Sequence, residues 1–160
     1  MMKRIPSRLI FGIFGAVLLL GAVGPAAEAE EKFGFGREIE GTYILSQEGT
    51  TTHSSYMFTE FGAVIWSASD QREFAYAPGN GVWKQTGDRS AKVRIVSFEL
   101  DGSGVAVIDM EFNFSDDFRA VSGSFEGGIY PPDVNVNAID REPRQNLANR
   151  FTGVRLTLGE

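Results

Sequence analysis

The sequence predicts an all-β fold, an eight-stranded antiparallel up-and-down barrel, and three observations carry that prediction. From residue 40 onward, short runs rich in Val, Ile, Phe, Tyr and Thr recur between clusters of Gly, Asp and Ser, which is the punctuation of hairpins. The connections TEFG (59–62), TGDR (86–89), ELDGSG (99–104) and SDDF (115–118) are tight enough to force consecutive strands into antiparallel pairs. A meander of about eight strands leaves an unpaired edge at each end, and closing the sheet on itself removes both.

The expected strands are 41–47, 52–59, 63–69, 81–86, 90–100, 105–114, 120–130 and 151–158. Strand 41–47 opens with GTY. The next two meet at TEFG, with Tyr56 and Phe58 sharing one face of the second and Val64 and Trp66 one face of the third. In the fourth, Trp83 and Lys84 take opposite faces. The fifth, SAKVRIVSFEL, has Val93 and Ile95 on one side and Val96 and Phe98 on the other, so a bulge near Ile95 is expected to shift its register. Alternation is clearest in the sixth, VAVIDMEFNF, where Ala106, Ile108, Met110, Phe112 and Phe114 face one way and Asp109, Glu111 and Asn113 face water. The segments 70–80 and 131–149 separate the remaining strands and are too long for hairpins; binding residues concentrate in loops of this kind. Within the second, REPRQNLANR offers a short helix from near Pro143, and VNVNAI offers an extension of the sheet.

Residues 1–29 form a segment of a different kind. Lys3, Arg4 and Arg8 precede an apolar run from Leu9 to Val23, and Ala27-Glu28-Ala29 fits the small-x-small rule of a secretory cleavage site, placing the cut after Ala29. An uncleaved anchor is the alternative, since ~18 apolar residues can span a bilayer. The cleavage-site match favours removal. Residues 30–39 are then a lead-in and 40–160 a single barrel domain, located in the periplasm or the medium. The leader holds three of the 15 basic residues and one of the 21 acidic ones, so its removal leaves 12 against 20, a net charge of −8. Such a surface has little attraction for phosphate backbones or anionic membranes, so neither nucleic acid nor stable membrane insertion after cleavage is expected. A membrane-spanning barrel is disfavoured too: the polar faces are charged and the last strand ends LTLGE without a terminal aromatic. With no cysteine, the chain relies on its core rather than on disulfides.

Reactive chemistry has little to stand on. His53 is the only histidine and lies in the polar stretch GTTTHSS, where an exposed strand position accounts for it better than a triad does. Asp116 and Asp117 in SDDF lack the spaced oxygen ligands of a cation loop and read as a turn. GFGREIEG (34–41) has no strand-to-helix context for a phosphate. No metal or cofactor is therefore expected.

Taken in order, GTY (41–43), FTEFGAVIWS (58–67), GVWKQTGDRSAKVRIVSFELDGSG (81–104), VSGSFEG (121–127) and FTGVRLTL (151–158) resemble a widespread group of small bacterial proteins with a calycin or allene-oxide-cyclase-like barrel. In calycins a G-x-W near the start packs against an arginine near the end. Here Gly41-Thr42-Tyr43 carries Tyr in place of Trp, and Arg155 is the matching arginine, so the resemblance implies that Tyr43 and Arg155 meet where the barrel closes. For function it implies by analogy an apolar small molecule held inside, or cyclase chemistry as in some related barrels.

The expected function is an exported binding module for an apolar or amphipathic small molecule, its interior lined by Tyr56, Phe58, Trp66, Trp83 and Phe112. The same aromatics serve equally well as plain core, because small eight-stranded barrels are either packed solid or hold one small ligand. That leaves two alternatives. One is a cyclase- or isomerase-type enzyme in which shape does most of the work, with Tyr43, Tyr56, Glu60 and Arg94 as polar helpers. The other is a structural or interaction protein with a solid core.

Overall fold

The computed structural model describes residues 34–158. The leader expected at 1–29 lies outside the described residues. Eight strands, β1 (Gly41–Gln47), β2 (His53–Phe58), β3 (Ala63–Ala68), β4 (Gly79–Gly87), β5 (Ser90–Phe98), β6 (Val105–Phe114), β7 (Ala120–Tyr130) and β8 (Gln145–Arg155), pair in sequence order into a closed antiparallel barrel. Closure comes from β1 and β8, which pair from Tyr43↔Arg155 to Gln47↔Phe151. The sheet has no free edge as a result.

Strict alternation along each strand decides which side chains go inside. Cross-strand register then sets Tyr43 beside Tyr56 and Tyr56 beside Trp66, while Val93, Met110 and Phe125 line up across β5 to β7. The buried side chains inside the barrel form a cluster that includes Tyr43, Phe58, Phe112, Phe114 and Phe151. Its rings meet mostly edge to face, at 5.2 Å for Phe58–Phe112, 5.6 Å for Tyr56–Phe112 and 5.5 Å for Tyr43–Phe114. That geometry lets ring edges meet ring faces and adds to the gain from burial alone.

One end of the barrel is stoppered by residues 34–39, which are helical. Phe35 and Ile39, one turn apart on the same side, point down into the core, and the Phe35 ring packs on Trp83, Phe114 and Phe118 at 5.7–6.0 Å. Gly36 lets the helix lie directly on the β2–β3 turn, since a Cβ there would strike the Glu60 carbonyl. Phe118 reaches the plug from the SDDF turn by adopting a positive φ of 55°, an uncommon conformation for a bulky residue.

Three local expectations are corrected. β5 carries no bulge near Ile95: its pairing with both neighbours is unbroken there, and the irregularity lies in β4, between Gln85 and Gly87. Regular alternation instead takes Ser97 inside, where its hydroxyl donates to the Ala77 carbonyl at 2.6 Å, and leaves Phe98 exposed outside. REPRQNLANR is not helical. Its second half belongs to β8, which starts at Gln145 rather than 151 because the eleven-residue β7 offers a full row of partners. VNVNAI does not extend the sheet either. Val134, Val136 and Ile139 pack from a loop onto the outer faces of Val96, Val105, Val107 and Tyr130, which explains why those outward positions are apolar.

Candidate functional site: the open end of the barrel

At the stoppered end, Arg155 joins the two halves of the closure. Its guanidinium carbon lies 5.9 Å from the centroid of the Tyr43 ring, and the group donates to the carbonyls of Glu38 (2.9 Å) and Glu40. Those carbonyls belong to the end of the short helix and its exit, where acceptors lack partners within the helix. Gly41, at φ 134°, makes room for the arginine; a Cβ there would sit 3.2 Å from Nε. The Tyr43 hydroxyl donates across the interior to the Phe118 carbonyl at 2.9 Å. Burial pushes the Tyr43 phenol above its ordinary pKa, with Arg155 opposing the shift.

Toward the opposite end the interior changes character. The inward positions become small, with Ser54 facing Ala68, Trp66 facing Gly79 and Ser97 facing Ala106. A Cβ on Gly79 would lie 2.8 Å from the Trp66 ring, so the indole occupies the space that the glycine leaves. Inward side chains also become accessible. That accessibility is uneven: Trp66, Phe125 and Leu147 are only partly buried, as are Gln47 and Asn149, while Ser54, Ser97 and Ala106 are as buried as Tyr43, Phe58 and Phe112 at the other end.

The predicted lining residues divide between these environments. Phe58, Trp83 and Phe112 belong to the packed half, where the Trp83 indole donates to the Thr59 carbonyl at 2.9 Å. Tyr56 lies at the transition, and burial raises its phenol pKa. Trp66 lies at the open half, and its Nε1 is buried with no hydrogen-bond partner; the hydroxyl of Ser54 is in the same condition. Sequence reading missed Ser54 because it sits in the polar GTTTHSS stretch. The signal was available, since Ser54 shares the inward phase of Tyr56 and Phe58.

Loops around the opening are tied together by Glu99. Its carboxylate accepts from the Ser103 hydroxyl (2.6 Å), the Arg144 guanidinium (2.7 Å) and the Tyr76 hydroxyl (3.1 Å), so one side chain holds the β3–β4 loop, the β5–β6 turn and the approach to β8. These bonds, that from Ser103 first, hold its pKa below the ordinary carboxylate value. Tyr76 responds in the opposite sense: desolvation, then the bond to Glu99, pushes its phenol up to about 12.

The suggested polar helpers do not converge. Tyr43 is committed to Phe118, Glu60 pairs with Arg37 at 3.0 Å beside the plug, and Arg94 grips Asp109 on the outer wall. Depressions of about 1160 and 570 Å³ run along the charged faces of β4 to β8 and of β6 to β8 with β1, and inward-phase residues, Phe125 and Asn149 in the first and Gln47 and Phe151 in the second, contribute to their walls. Lys92–Glu111 and Arg94–Asp109 already neutralise one another there. His53 is exposed, its Nδ1 3.0 Å from the Ser46 hydroxyl. Asp116 pairs with Arg89, and Asp117 accepts from Ser115 and the Arg119 amide within its turn. Among the described residues, no three His, Asp or Glu side chains gather as a metal site would require. In comparison with known proteins, the chain matches no family model, no curated protein and no solved structure.

Proposed function

We propose that this chain is an exported barrel that binds an apolar or amphipathic small molecule through its open end. The observation that carries the reading is the asymmetry of the interior. One half is filled by interlocked rings under a helical plug. The other is lined by small side chains together with the partly exposed Trp66, Phe125 and Leu147. Partly exposed apolar walls with a few polar groups among them are the usual make-up of a ligand site. The packed half, including Phe58, Trp83 and Phe112, then serves as the floor that holds the site in shape.

Single-tryptophan variants test this. A neutral hydrophobic probe such as N-phenyl-1-naphthylamine should change Trp66 emission saturably in Trp83→Phe and leave Trp83 emission almost unchanged in Trp66→Phe. The absence of any saturable change with several neutral probes would favour the solid-core structural protein.

A further inference from the structure

We infer that the molecule held at the open end carries an uncharged hydrogen-bond acceptor, a carbonyl-type oxygen, which is received inside the barrel by the Trp66 Nε1–H and the Ser54 hydroxyl. The inference rests on the binding reading above and specifies its ligand. An indole N–H can only donate, and a buried polar group without a partner forfeits its hydration for nothing in return. Among the described residues two such groups occur, Ser54 Oγ and Trp66 Nε1, and both belong to inward-facing residues of the adjacent strands β2 and β3. Ser54 pairs directly with Ala68, two residues along from Trp66, which sets the diagonal separation of Ser54 and Trp66 at roughly 7–8 Å. That is a backbone spacing; one oxygen with two lone pairs accepts from both when the indole nitrogen and the hydroxyl come within about 5.8 Å of each other, twice a hydrogen-bond length. The Tyr56 hydroxyl, protonated at any physiological pH, is the next inward group on β2.

The charge of the acceptor follows from what the interior lacks. Among the described residues, the inward strand positions near the mouth, Ser54, Trp66, Phe125, Leu147, Gln145 and Asn149 among them, carry no carboxylate or cation, and the Glu99–Arg144 pair on the rim is closed on itself at 2.7 Å. The cation on the inner phase of β8, Arg155, sits at the plugged end with the Glu38 and Glu40 carbonyls as its partners. A carboxylate at Trp66 would be desolvated without a counter-charge, which is costly, whereas a ketone, ester or amide oxygen gains two donors at little expense.

Three matched probes measured by calorimetry on the full folded protein test the assignment: 2-acetylnaphthalene, 2-ethylnaphthalene and 2-naphthoate. The ketone should bind about tenfold more tightly than the hydrocarbon, the worth of one satisfied buried donor, and the carboxylate more weakly than either. Ser54→Ala and Trp66→Phe should each shrink the ratio of ketone to 2-ethylnaphthalene affinity, whatever either change does to apolar contact in the site. Ser54→Ala should also leave the unliganded protein at least as stable as before, because the hydroxyl it removes has no partner to lose. Equal affinity for ketone and hydrocarbon, a preference for the carboxylate, or destabilisation by Ser54→Ala would overturn the acceptor while leaving the binding site standing. Failure of all three probes to bind would overturn both.

Discussion

Replacing Arg155 with methionine removes a side chain that fastens three elements at once: the plug through the carbonyls of Glu38 and Glu40, β1 through the ring of Tyr43, and β8 by its own position. Methionine keeps much of the stem and its packing, so the loss is confined to the guanidinium. Hydrogen bonds from a charged donor are worth about 1.5–3 kcal/mol each when dry, and the cation–π contact about 0.5–2 kcal/mol. Arg155 is partly exposed, and water replaces some of what is lost, so the expected total is about 2–4 kcal/mol. Against a typical domain stability of about 5–15 kcal/mol this is a large fraction. At roughly 3–6 °C per kcal/mol for a domain of this size, melting should fall by about 6–24 °C. Urea titration followed by Trp83 fluorescence measures it, with the slope unchanged if only the native state is affected. Arg155→Lys should recover part of the loss, because an ammonium keeps the charge but not the fork that reaches two carbonyls. A double-mutant cycle with Tyr43→Leu should give a coupling of about 0.5–1 kcal/mol for the ring contact alone. An Arg155→Met protein melting within about 2 °C of the parent would refute the account of how this end is fastened.

Other perturbations have equally definite outcomes. Phe35→Ala empties the plug and should cost about 3–5 kcal/mol, with Trp83 emission moving to the red as water reaches the ring it covered. Gly81→Ala places a Cβ against the Arg94 carbonyl of the neighbouring strand and should destabilise by about 1–3 kcal/mol, measured by urea unfolding. Glu99 has a depressed pKa in the folded state, so its contribution is present above the ordinary value of 4.5 and is lost as pH falls through the lower folded value; Glu99→Gln should flatten that acid limb. Tyr76 is raised from 10.0 to about 12, so its contribution is complete below pH 10 and lost between there and about 12. Tyr76→Phe should abolish that alkaline loss, checked by melting curves across the range. If the leader is cleaved as expected, N-terminal sequencing of exported protein should begin at Glu30.

What could be read from sequence followed from where burial leaves a mark. β6 was legible because Ile108, Met110, Phe112 and Phe114 are buried inside while Asp109, Glu111 and Asn113 are wet, so the period of two is undiluted. The first half of β8 was not, because its inward Gln145 and Asn149 stand at an open mouth and need not be apolar. β5 misled for a tertiary reason. Ser97 can be inside only because a carbonyl twenty residues away, that of Ala77, satisfies it, and Val96 can be outside because a distant loop covers that wall. The plug left a weak trace, Phe35 and Ile39 at helical spacing, masked by the glycines around it. At the site, the aromatic residues announced themselves and Ser54 did not, since one of two adjacent serines in a polar stretch acquires meaning only from its phase relative to Tyr56.

The two indole protons provide the most direct test of a barrel plugged at one end and receptive at the other. In a heteronuclear NMR titration with 2-acetylnaphthalene, the Trp66 Nε1–H resonance should shift saturably together with the amides of Ser54, Phe125 and Leu147. The Trp83 Nε1–H, already bonded to Thr59, should stay in place. Shifts gathered instead on Lys84, Lys92, Arg94 and Arg150 would move binding to the outer wall, and a spectrum unchanged at saturating probe would contradict a ligand site in the barrel altogether.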